Sequence, residues 1–147
     1  MFYFLYVLIA LLVVLGVWLL EGGVIGALIQ APALILTLIP PFLFSIAATS
    51  GGAFGLSWKL VSSRRAQVDP KEAEQACAYL KVFGYTSLFL GAIGSVMGII
   101  ATLASAGGDS TELIHHMGAT FIAILWGMIF KVLCHVAEQR IRSRYAS

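Results

Sequence analysis

Charge is what this sequence has least of. Only 11% of its 147 residues are Asp, Glu, Lys or Arg, against about 25% in soluble domains. Hydrophobic residues make up 60%, and the mean hydropathy is +0.95. Such a balance excludes an ordinary water-soluble fold. All seven Asp and Glu residues lie outside the long apolar runs. The two cysteines, Cys77 and Cys134, lie near basic segments. At a cytoplasmic face thiols stay reduced, so both read as small apolar side chains and not as a disulfide. There is no nucleophile–base constellation, phosphate loop or metal-ligand spacing. Nothing supports an enzyme, a cofactor, a metal centre or a nucleic-acid partner.

Four apolar runs are present: Phe2–Leu20, Ala31–Thr49, Val82–Ala104 and Met117–Ala137. Each is near the ~20 residues that a helix needs to cross ~30 Å of hydrocarbon. All nine Lys and Arg residues fall on one side of the membrane if the runs are spans. Lys59, Arg64, Arg65, Lys71 and Lys81 follow the second run, and Lys131, Arg140, Arg142 and Arg144 end the fourth. The other two connectors carry Glu21, Asp109 and Glu112 and no base. The positive-inside rule then predicts four spans with both termini cytoplasmic. No positive residue precedes the first run, which is longer than a signal-peptide core, so it reads as a retained helix. The expected fold is all-α and polytopic, a single transmembrane domain over residues 1–147, with its last two helices extended into the cytoplasm.

The chain reads as two helix hairpins. In the first, Glu21-Gly22-Gly23 closes span one and Pro32 suits the first turn of span two. Pro40-Pro41 should kink span two and free one or two carbonyls, which in lipid need a partner. Thr37 and Ser45 are placed to help, and Gly51, Gly52 and Gly55 let the chain leave the membrane. In the second hairpin, Asp69-Pro70-Lys71-Glu72 is a helix-start signature. The helix it opens can run to Ala104, ~52 Å at 1.5 Å per residue, and must project beyond the bilayer. Gly107-Gly108 ends it, and Asp109-Ser110-Thr111-Glu112 opens a last helix reaching Arg144. The connector Lys59–Lys81 leaves no room for a sizeable extramembrane domain.

Span three carries small residues at Gly84, Ser87, Gly91, Gly94, Gly98, Ala101 and Ser105. Their alternating spacing of three and four is a seven-residue repeat along one face. Small residues let membrane helices approach closely, and a 3.5 period predicts a shallow left-handed crossing. Packing within the chain is one reading; the length of the face favours a seam with another helix. Span four offers a shorter small face in Ala119, Ala123 and Gly127. At depth the spans supply hydroxyls only: Ser87, Ser95, Thr102 and Thr120. A proton pathway needs an ionisable group there, so the titrating carboxylate must come from another chain. Lys131 sits near an inner end and can snorkel to the headgroups. His115 and His116 point about 100° apart on a helix and make a poor metal pair.

Three stretches carry a resemblance to a known family. The segment from Leu19-Leu20-Glu21-Gly22-Gly23 to Gln30-Ala31-Pro32-Ala33-Leu34 resembles the first outer turn of the MotA branch of the MotA/TolQ/ExbB ion-channel subunits. Gly91-Ala92-Ile93-Gly94-Ser95-Val96-Met97-Gly98 resembles their glycine-rich third-span motif, and Ser95 matches its hydroxyl position. Met117 to Gly127, ending Leu125-Trp126-Gly127, resembles their fourth span. The resemblance implies a homopentamer in the bacterial inner membrane around two single-span partner helices. Each partner helix supplies an aspartate at membrane depth, and proton-motive force is coupled to mechanical work on the partner. The hydroxyls of Ser95, Thr102 and Thr120 are expected to line an ion path beside that aspartate; the alternative is that each bonds its own helix carbonyl three or four residues back. The family's mid-span threonine is replaced here by Ala123 and Ile124, its second-span glycines by Pro40-Pro41, and the large cytoplasmic torque region is missing. With those oxygen ligands removed, the expected ion is a proton and not sodium. Two other readings stay open: a scaffolding membrane oligomer without ion flow, and an unrelated small transporter.

Overall fold

A computed structural model describes residues 2–20, 29–62, 69–105 and 120–145. Those residues form five helices and no strand: α1 Phe2–Leu20, α2 Ala31–Ala48, α3 Ala53–Ser62, α4 Pro70–Ser105 and α5 Ile122–Tyr145. Three of them, α2, α4 and α5, are long and apolar enough to cross a membrane, and α1 adds a shorter apolar stretch, Leu5–Gly16. The expected outer turns at Glu21-Gly22-Gly23 and Gly107-Gly108, the capping signature at Asp109–Glu112, His115-His116, Ala119 and the start of span four lie outside the described residues.

Contacts divide the chain into two units, Met1–Ala31 and Pro32–Ser147. In the first, α1 is apolar all round and most of its described side chains are exposed. A helix hydrophobic on every side suits lipid.

The second unit is built on the antiparallel pair of α4 and α5. α4 begins where the capping signature placed it. Glu72 and Ala73 N–H donate to the Asp69 carbonyl at 2.9 and 3.1 Å, and Lys71 N–H reaches Asp69 Oδ1 at 3.3 Å. Its 36 residues make a rod of ~54 Å, longer than a bilayer core. α2 passes through Pro40 and Pro41. The carbonyl that Pro41 leaves without its usual helical donor is that of Thr37, and Ser87 Oγ of α4 donates to it at 3.0 Å. Thr37 and Ser45 do not do this work. Their hydroxyls turn back to the Ala33 and Pro41 carbonyls at 2.7 and 2.6 Å.

α3 is a helix where Gly51, Gly52 and Gly55 alone suggest an exit from the membrane. Ala53, Ser57, Leu60 and Val61 are its buried face, spaced as one stripe of a helix. Ser57 Oγ lies 3.2 Å from the Ala76 carbonyl of α4 and 2.6 Å from its own Ala53 carbonyl. Aromatic rings then tie four helices together. Phe42, Phe54, Tyr79, Phe83, Phe130 and Trp126 follow one another with centroids 5.3 to 6.3 Å apart. Contacts at these separations add to burial energy.

Candidate functional site

The small face of α4 meets α5 and α2 of the same chain. A Cβ placed on Gly91 would stand 2.6 Å from the Ala123 carbonyl oxygen. One on Gly127 would stand 2.6 Å from the Ser87 carbonyl oxygen. The two helices thus touch backbone to backbone at two levels, each through a glycine of the opposite partner. Gly84 faces Cys134 and Lys131, Gly98 faces Thr120, and Gly94 faces the end of the Leu36 side chain. Ala101 is exposed, and nothing of the Ser105 side chain is described. The buried line on α4 therefore runs Gly84, Ser87, Gly91, Ser95, Thr102. It drifts by one residue from the seven-residue repeat, as a straight 3.6-residue helix does.

Of the three sequence-predicted hydroxyl residues, Ser95 and Thr120 meet across this seam, and Thr102 lies two turns, ~10 Å, further along α4. Ser95 is 5% exposed and Thr102 8%. Ser95 Oγ donates to the Thr120 carbonyl at 2.8 Å and accepts the Ile124 N–H at 3.2 Å. Those two groups are partners in an unbroken α-helix, so the hydroxyl stands within the ladder just where α5 starts. Thr102 Oγ1 donates to the Gly98 carbonyl of its own helix at 2.8 Å, the usual back-bond of a hydroxyl in an apolar helix. Thr120 presents its methyl to Gly98. Ser95 thus joins two helices.

At the basic end, Glu138 lies one residue beyond the expected fourth span, Met117–Ala137. It is 6% exposed, and Arg142 Nη2 and Nε both reach its Oε1, at 2.9 and 3.0 Å. Its signal was legible: Cys134, Ala137, Glu138 and Ile141 share one helix face, and Arg142 is four residues on. Cys77 packs beside it, with Sγ 3.9 Å from the Glu138 carbonyl. Burial pushes the Cys77 thiol above its usual range, with Arg142 opposing. Lys131 does more than snorkel: its Nζ sits 3.3 Å from the Tyr85 ring centroid, a cation–π contact. Among the described residues no group of His, Cys, Asp and Glu could hold a metal ion.

A bundle of helices long and apolar enough to cross a membrane, with hydroxyls and no acids along its spans, defines a membrane protein. Residues 59–147, more than half of the chain, match the MotA/TolQ/ExbB proton channel family, and the chain belongs to that family. No curated protein matches it.

Proposed function

We propose that this chain is the channel subunit of a proton-driven membrane motor. Several copies, five on the family resemblance, surround two single-span partner helices in a bacterial inner membrane, and proton flow does mechanical work on those helices. One observation carries the reading: the apolar runs of this channel-family chain contain no Asp or Glu. Glu138, the buried acid near a span, is held by Arg142 at the basic end. A proton needs a titrating group at depth, and a second chain must bring it. We put that carboxylate along the stretch from Ser95 and Thr120 to Thr102, with proton preferred over sodium because Ala123 and Ile124 offer no side-chain oxygen.

The Ser95 geometry favours a second reading, a scaffolding oligomer without ion flow, since this hydroxyl already bonds Thr120 and Ile124 of α5. Flux in vesicles separates the two. The chain is reconstituted with the single-span protein that co-purifies with it. Flux following the pH gradient, persisting without sodium, and falling in Ser95→Ala or Thr120→Val with the oligomer intact is the expected result. Sodium-dependent flux, or undiminished proton flux in the double variant, sinks the ion path. No flux with the partner present leaves the scaffold.

A further inference from the structure

Two lysines converge on Tyr85 where α4 enters the expected third span, Val82–Ala104. Lys81 is exposed and lies one turn before Tyr85 on the same face of α4. Lys131 comes across from α5. Gly84 makes room for it, since a Cβ added there would stand 3.2 Å from Lys131 Cδ. The lysine stem thus crosses α4 where no side chain blocks it, and Nζ ends 3.3 Å from the Tyr85 ring centroid. A helical side chain covers the turn before its own Cα, so the Tyr85 ring and the ammonium on it lean toward Lys81. One turn deeper, Phe89 stacks on Tyr85 with centroids 6.5 Å apart and planes 24° from parallel. The two rings are 44% and 63% exposed. They make a flat apolar strip running from the two charges into the bilayer.

We propose that Lys81 and Lys131 bind the phosphate of an anionic phospholipid in the leaflet at the basic end, with an acyl chain laid along Tyr85 and Phe89. Charge and depth together select this occupant. No residue three or four positions from either lysine is acidic, and among the described residues neither lysine pairs with a carboxylate. Glu138 is held by Arg142, and Glu74 lies two turns, ~10 Å, further out along α4. An aromatic face attracts an ammonium but gives it no lone pair. Its N–H donors, at the edge of the hydrocarbon, still need oxygen acceptors. The phosphates of a leaflet lie at that depth, and a lipid places its chains on the side where the rings are. A soluble phosphate has nothing to lay on the strip. A zwitterionic lipid brings its own cation to compete with the lysines. The site lies within one chain and requires neither ion flow nor a partner helix.

Native mass measurement of the full chain in detergent tests this. The protein is titrated with phosphatidylglycerol, with phosphatidylcholine of the same acyl chains, and with soluble glycerol phosphate. Retention of phosphatidylglycerol well above the other two is expected. Lys81→Gln and Lys131→Gln should each weaken it by about fivefold, the worth of one lysine near an anionic surface. Lys131→Arg, which keeps the charge, should restore binding. Lys59→Gln, which removes a base from α3, should leave it unchanged. Unfolding midpoints without lipid check that each variant is folded, and the exposed Lys81 carries the test should Lys131→Gln fail to fold. Equal retention in the lysine variants and the unaltered chain would overturn the site. An equal loss in Lys59→Gln would do so too, by showing diffuse attraction in place of a site. Phosphatidylcholine held as tightly would remove the role of charge, and glycerol phosphate held as tightly would remove the lipid. If the unaltered chain retains no lipid and Lys81→Gln breaks its oligomer, the face belongs to another protein chain and the lipid assignment falls.

Discussion

Ser87 and Thr37 lie 50 residues apart and meet at 3.0 Å because Pro41 has no N–H to give. A carbonyl left without a donor in a buried place costs about 1–3 kcal/mol, and Ser87, with 0% exposure, removes that cost from another helix. The two residues are therefore thermodynamically coupled. Ser87→Ala should destabilise the protein by about 1–3 kcal/mol in the native background. In a Pro41→Ala background the new N–H returns to the Thr37 carbonyl, and the same Ser87 change should cost distinctly less. Thermal unfolding in detergent of the four members of this cycle measures the coupling. Equal costs in both backgrounds would remove the assignment. The sequence pointed to Pro41 as a source of an orphan carbonyl but offered Thr37 and Ser45 as its relief. Those hydroxyls lie on the same helix and reach carbonyls of their own helix four residues back. Which side chain a neighbouring helix brings to a given carbonyl depends on tertiary register, and no local pattern encodes that. Ser95 repeats the lesson: its spacing in the glycine motif was plain, whereas its place between the Thr120 carbonyl and the Ile124 N–H arises only once α5 is docked.

Among the elements, α4 was the most legible, since Asp69-Pro70 starts it and its apolar length carries it to Ser105. α3 was not, because Gly51, Gly52 and Gly55 read as an exit from the membrane; its stripe at Ala53, Ser57, Leu60 and Val61 was the missed signal. The small face of α4 announced a close approach without saying to which helix. The register that emerged makes its glycines unequal. At Gly91 an added methyl meets the backbone of Ala123 and Ile124, and at Gly127 that of Ser87 and Leu88. At Gly94 it meets the tip of the Leu36 side chain, which can rotate away, and the Ala123 Cβ at 3.3 Å, but no backbone atom of a neighbouring helix is among its nearest contacts. Gly91→Ala and Gly127→Ala should each cost about 1–3 kcal/mol through overpacking, and Gly94→Ala clearly less. Unfolding midpoints in one detergent decide it. Gly94→Ala as harmful as Gly91→Ala would mean that Leu36 and Ala123 cannot give way at that position.

For the whole molecule, the question is which end of the α4–α5 rod faces the cytoplasm. A helix of ~54 Å in a hydrocarbon layer of ~30 Å must leave turns outside. The described charges say which turns. Lys59, Lys71, Lys81, Arg140, Arg142 and Arg144 gather where α4 begins and α5 ends. The Glu138–Arg142 pair is at that same end, where headgroups and water lower the cost of charge. Moving this end across the membrane would require translocating a basic connector and a basic helix terminus together, which the positive-inside rule disfavours. We therefore expect Arg65 and Ser147 on the cytoplasmic side, and Gly22 and Gly108 on the opposite one. All four positions lie outside the described residues, so the expectation rests on charge distribution alone. Single cysteines replacing them, in a background lacking Cys77 and Cys134, provide the measurement. An impermeant thiol reagent added to intact cells should modify positions 22 and 108 and spare 65 and 147 until the membrane is permeabilised. Modification of position 65 in intact cells would invert the orientation. With it α3 and the Glu138–Arg142 pair would move to the other face, while the contacts within the bundle would stay unchanged.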